Sequence, residues 1–193
     1  GVNGGFFGAI IGRSGNRIGG AKFSLYGQEY QLGKNENDNN LHSGPNGFEK
    51  KIWTVKNTDQ DKNAVTFFRI SPDGENGFPG EFEVSVTYEL TEDNAIQIYY
   101  GGISDKATVA NMTNHSYFNL SGNPANPATD HILYVNADSI TPVDSTFMTT
   151  GEMITVADSP FDFNTPKTIA PDVTDFDNEQ VKFGNGRSEE HTS

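Results

Sequence analysis

The chain has 193 residues, no cysteine, and 26 acidic against 13 basic side chains, for a net charge of −13. That length suits one domain or two small ones, and the lack of cysteine excludes disulfides, thiolate metal sites and cysteine nucleophiles. A diffuse negative field repels phosphate backbones, which argues against nucleic acid as a partner, and no apolar run approaches the roughly 20 residues of a membrane span.

Residue 1 is Gly rather than Met and no signal peptide is visible. We therefore expect an internal segment of a longer protein. Redox chemistry does not report the compartment in a chain without cysteine; the cytoplasm is favoured.

In chain order, residues 6–13 read as a glycine-rich apolar strand. Residues 21–26 and 29–32 form a predicted hairpin joined by Gly27 and Gln28, a two-residue loop with glycine first. Residues 51–57 and 64–71 pair across 58–63. Residues 82–90 alternate apolar and polar without a break, the period of a strand with one buried face. Turn residues 91–94 follow, and 95–103 alternate again, giving a second hairpin. Residues 106–112, 131–137 and 152–156 give further short strands. No window carries a sustained helical stripe. The pattern predicts an all-β, antiparallel sandwich over residues 1–186. The polar tail 187–193 reads as non-native.

Long polar loops lie at 33–46, 72–80, 121–130 and 160–171, and loops of this length on a rigid β scaffold usually carry function or are disordered. His42 lies in the first. Gly44 and Gly47 let backbone approach a ligand closely, and the nearby asparagines offer donors and acceptors, which suits a polyhydroxylated molecule. A lone loop histidine is more often simply solvated. His115 sits in Asn-Met-Thr-Asn-His-Ser-Tyr-Phe-Asn-Leu-Ser-Gly, residues 111–122. If that segment is a strand, Thr113, His115, Tyr117 and Asn119 share one unusually polar face. Local side-chain bonding and proton transfer explain it equally well, since imidazole titrates near neutrality. Arg13 and the pair Asn16–Arg17 either face solvent or clamp sugar hydroxyls or a carboxylate.

A metal site is disfavoured: His42, His115 and His131 lack the short paired spacing of zinc ligands. His131 reads as a strand-entry residue. The glycines between 4 and 20 precede no helix, so a phosphate-binding loop is disfavoured too. The glycosylation-type triplets at Asn111 and Asn119 matter only in a secreted eukaryotic protein.

Taken in order, Ile11–Ile18, Leu41–Phe48 with Trp53, Thr113–Gly122, Ile140–Asp144, Thr150-Gly151-Glu152 and Pro160–Phe163 resemble the galactose mutarotase (aldose 1-epimerase) family over residues 6 to about 170. Any one motif is modest; the ordered set is specific. The resemblance implies a large supersandwich, incomplete here at both ends, and interconversion of α and β anomers of aldohexoses such as galactose or glucose without cofactor or metal. It implies His115 as the general acid at the ring oxygen. His42, Asn16 and Arg17 become substrate-binding, with Ser116 and Tyr117 adjoining the acid. Ser43 stands where the family often has glycine, and Thr149 where proline is common. The family's general base is a glutamate beyond residue 193, which neither Glu152 nor Glu189 matches, and its substrate-binding aspartate follows an Asn-Gly turn like Asn185-Gly186. The fragment is therefore expected to be inactive alone. The alternatives are a non-catalytic carbohydrate-binding β-sandwich and a hexose-6-phosphate 1-epimerase. The latter needs basic residues for the phosphate, and only Arg13 and Arg17 lie near. Oligomeric state is not legible.

Overall fold

The structure, a computed structural model, describes residues 6–170 and 172–184. The chain divides into two compact units, Gly1–His115 and Ser116–Ser193. The segment 187–193 and the Asn185-Gly186 pair lie outside the described residues.

Among the described residues, the first unit holds ten strands: β1 Ile10–Ile11, β2 Arg17–Ile18, β3 Lys22–Leu25, β4 Gln28–Gln31, β5 Asn40–Leu41, β6 Thr54–Asp59, β7 Ala64–Ser71, β8 Phe82–Leu90, β9 Ile96–Ser104 and β10 Thr113–Asn114. The second holds β11 Ile132–Leu133, β12 Ser139–Ile140, β13 Ile154–Thr155, β14 Lys167–Thr168 and the helix α1 Glu179–Phe183. All pairings between named strands are antiparallel. The all-β expectation is met.

Strands β6-β7-β8-β9 make one four-stranded sheet in that order. The alternation in β8 sends Phe82, Val84 and Val86 to the buried face, while Glu83 is exposed and Ser85 and Thr87 are half-buried. Phe48 packs on Phe82 and Val84, with Trp53 and Met112 at the margin. A second cluster joins Ala21, Leu32 and Phe78. Gly12 lies so close to Phe48 that a Cβ there would come within 2.5 Å of its ring. This packing fixes the segment after Gly12 against the loop that carries His42.

Several readings of the sequence are corrected, among them the loop of the first hairpin, which is Tyr26-Gly27 rather than Gly27-Gln28. Residues 106–112 form no strand; only Asn111 bridges, in parallel, to Ser14. Strand β10 stops at Asn114, so Thr113, His115, Tyr117 and Asn119 do not share a strand face, and Tyr117 is 45% exposed. Arg13 neither faces solvent nor clamps a ligand. Its side chain is buried, donating from Nε to Ser71 Oγ, from Nη1 to Pro79 O and Thr108 Oγ1, and from Nη2 to Ser71 O and Pro72 O. All five guanidinium protons are thus matched to acceptors, so the fork is a structural tie between residue 13 and the 72–80 loop.

In the second unit, Asn178 caps α1 by accepting from the Gln180 and Val181 backbone. Gln180 then brackets Val143, accepting from its N–H at 2.8 Å and donating to its carbonyl at 3.0 Å. Asn-Xaa-Xaa at a helix start supplies an acceptor for orphan amides. Five residues are too few to show a helical stripe in the sequence.

Candidate functional site

Two short ladders in the first unit bring His42 and His115 together. In one, Arg17 pairs with Leu41 and Ile18 with Asn40, and the next pair is Asn16 with His42. There the His42 N–H donates to Asn16 O at 2.9 Å, and the Asn16 N–H donates to His42 Nδ1 at 2.9 Å. In the other, Ile10 pairs with Asn114. The ladder continues as His115 N–H donates to Ala9 O at 2.9 Å and Gly8 N–H to His115 O at 3.0 Å.

The result is a T-shaped pair of imidazoles with centroids 5.2 Å apart and planes at 89°. Phe6 walls the pair, 4.7 Å from His42 edge-on and 5.9 Å from His115 nearly stacked. Phe6 was not singled out in the sequence, because Gly-Phe-Phe-Gly reads there only as apolar strand.

The His42 backbone bends sharply to present the ring. Residues 42, 43 and 44 are all left-handed, at φ 53, 67 and 89. Gly44 meets this freely. Ser43 does so with compensation: its buried hydroxyl accepts from Ser14 N–H at 2.7 Å and donates to Ser14 O at 2.9 Å. Gly47 is required for another reason, since a Cβ there would sit 2.6 Å from the His42 carbonyl.

Because Nδ1 of His42 accepts a backbone N–H, the neutral ring carries its proton on Nε2. Burial, then His115, then the Arg17 charge push the His42 pKa down from 6.5 to about 4. At neutral pH His42 is therefore an uncharged hydrogen-bond donor, fixed in tautomer.

Arg17 lies beside this pair. Its Nε and Nη2 grip the Glu36 carboxylate at 2.5 and 2.8 Å, while Nη1 is 3.4 Å from Asn16 Oδ1. Glu36, in the 33–46 loop, was also missed; nothing marks it among so many polar neighbours. Ser116 and Tyr117 open the second unit, Ser116 half-buried and Tyr117 partly exposed. His131 enters β11 as expected, its Nε2 accepting from the Leu120 backbone at 2.7 Å. Among the described residues, no three of His, Asp and Glu are grouped to hold a metal ion. No helix among them is long and apolar enough to cross a membrane.

A family model described as Aldose 1-epimerase matches residues 2–189. The chain belongs to that family. Galactose mutarotase from Homo sapiens is 43% identical over 171 residues, covering 89% of this chain and 49% of that protein. Aldose 1-epimerase from Escherichia coli strain K12 is 40% identical over 178 residues, covering 92% and 51%. Among solved structures, galactose 1-epimerase from Lactobacillus acidophilus superposes with a TM-score of 0.86 at 32% identity, over 96% of this chain and 54% of that one. The galactose mutarotase-like β architecture is thereby shared. The chain spans about half the length of the curated relatives it matches.

Proposed function

We propose that the complete protein interconverts the α and β anomers of aldohexoses such as galactose or glucose. The observation that carries this is the His42–His115 pair beside Asn16 and Arg17, in a member of the aldose 1-epimerase family.

Ring opening needs a proton delivered to the ring oxygen and another removed from the anomeric hydroxyl. Rotation about one carbon–carbon bond and reversal give the other anomer. One acid and one base suffice. His115 serves as the acid. His42, held neutral with Nε2–H outward from its backbone bond, donates to a sugar oxygen and cannot compete as a proton source. Asn16, Arg17, Ser116 and Tyr117 contact hydroxyls. The base is a glutamate outside these 193 residues, and the chain alone is inactive. No metal or cofactor takes part, the substrate is a free sugar rather than nucleic acid or membrane, and the cytoplasm is the favoured compartment.

A phosphorylated hexose is disfavoured, because the Arg13 fork is consumed inside the fold and Arg17 is paired with Glu36. The test is polarimetry of α-galactose with the complete protein. His115→Asn should lower kcat by about 10²–10⁴ with KM little changed, and a chelator should have no effect. Full activity in His115→Asn would remove the acid assignment. Sugar binding without any mutarotation in the wild type would favour a non-catalytic binding module.

A further inference from the structure

The Arg17–Glu36 pair is a site feature that the mutarotase reading does not use. Arg17 is only 12% exposed and Glu36 27%. A bidentate fork fixes the guanidinium plane as well as its position, and cancels its charge where water screens poorly.

The loop that carries Glu36 is itself held in place. Glu36 exchanges backbone bonds with Asn39 at 3.3 and 2.9 Å. The Asn35 side chain donates to Leu41 O at 2.9 Å and accepts from Leu41 N–H at 2.8 Å. Buried Asn40 donates to Gly33 O at 2.7 Å, and buried Asn39 accepts from Gly20 N–H at 3.1 Å. The carboxylate is therefore presented to Arg17 by backbone geometry rather than reaching it by chance rotation of an exposed side chain.

Two neighbouring cations are likewise engaged. The five protons of the Arg13 fork go to protein oxygens, and Lys34 pairs with Asp38 at 2.7 Å. His42 is uncharged at neutral pH. A sugar carrying a carboxylate would meet an arginine already neutralised, in a chain with net charge −13. A neutral hydroxyl loses nothing by this arrangement, since an oriented N–H donates to it whether or not the pair is net neutral.

Resting on the mutarotase reading, we propose that Glu36 is a positioning and specificity residue: it orients Arg17 for neutral hydroxyls and denies anionic sugars a free cation.

The experiment compares galactose turnover with competitive inhibition by galacturonate, in the complete protein, for wild type, Glu36→Gln and Glu36→Asp. In Glu36→Gln, KM for galactose should rise roughly threefold to tenfold while kcat stays within about twofold. The galacturonate inhibition constant should fall about threefold or more at low salt, and that gain should fade at high salt. Glu36→Asp keeps the charge and should return galacturonate discrimination towards wild type. A purely structural loss would lower the active fraction for both sugars alike and leave their ratio unmoved. An unchanged ratio in Glu36→Gln, with wild type turning galactose over, overturns the Glu36 assignment alone. A wild type that neither binds nor converts galactose overturns the mutarotase reading and this proposal with it.

Discussion

Ser43 stands at a backbone angle, φ 67, that glycine adopts freely and that costs other residues about 1–2 kcal/mol. Its hydroxyl offsets this by closing two bonds to Ser14 in a buried setting. Ser43→Ala keeps the strain and loses both bonds, so chemical denaturation should show a loss of about 1–3 kcal/mol. Ser43→Gly also loses the bonds but relieves the strain, and should lose about 1 kcal/mol less than the alanine variant. A glycine variant as unstable as the alanine one would show that φ is not the issue. The sequence marks position 43 only as a departure from a glycine in similar proteins. The reason for that glycine, three left-handed residues in a row, becomes legible only once His42 is seen turned towards His115. Arg13 teaches the converse. Next to a candidate sugar-binding pair it looks functional, yet its acceptors come from residues 71, 72, 79 and 108, contacts at separations no local pattern reveals.

Strands of eight or nine residues declare themselves, and strands of two do not. Residues 82–90 alternate over their whole length, and β8 occupies them as read; β9 follows one residue later than expected. Two-residue strands such as β2, β5 and β10 carry no period, yet they are the ones that place the site. The hairpin of β3 and β4 was legible in kind but not in register. Its loop is Tyr26-Gly27, with φ 49 and 83, rather than Gly27-Gln28. Two consecutive positive angles define the turn whose twist suits antiparallel strands, and its preferred first residue is asparagine. Tyr26 is 96% exposed and packs on nothing that would repay its strain. Tyr26→Asn should therefore stabilise the chain by about 0.5 kcal/mol, read as a higher denaturation midpoint at unchanged slope. A lower midpoint would mean that the tyrosine ring contributes more than its backbone costs.

At the scale of the whole molecule, His42 and Glu75 are the two groups of the first unit whose titration the fold moves furthest. His42 is held down at a pKa of about 4, through burial first, so the fold excludes a proton that the unfolded chain accepts at its ordinary 6.5. Its contribution is fully present above 6.5 and is lost as pH falls towards 4, on the order of 3 kcal/mol in all. Glu75 acts lower. Burial pushes its carboxyl up, but bonds from Arg69, Ser71 and Lys51 outweigh this and bring it to about 2. Its contribution is present above the unfolded 4.5 and disappears as pH falls through 2. The two windows adjoin, so these two contributions together are lost continuously from about pH 6.5 downwards rather than at one point. Protonation of carboxylates also relieves the repulsion of a chain at −13, an opposing effect shared by every variant. Differences between variants therefore isolate each group. Denaturation midpoints against pH should show the decline between 6.5 and 4 flattened in His42→Asn alone, and the decline between 4.5 and 2 flattened in Glu75→Gln alone. If His42→Asn and the wild type fall in parallel through the upper window, the histidine is not held neutral by the fold. The division of roles between His42 as neutral donor and His115 as acid would then lose its footing, because a His42 that protonates near 6.5 could itself deliver the proton to the sugar.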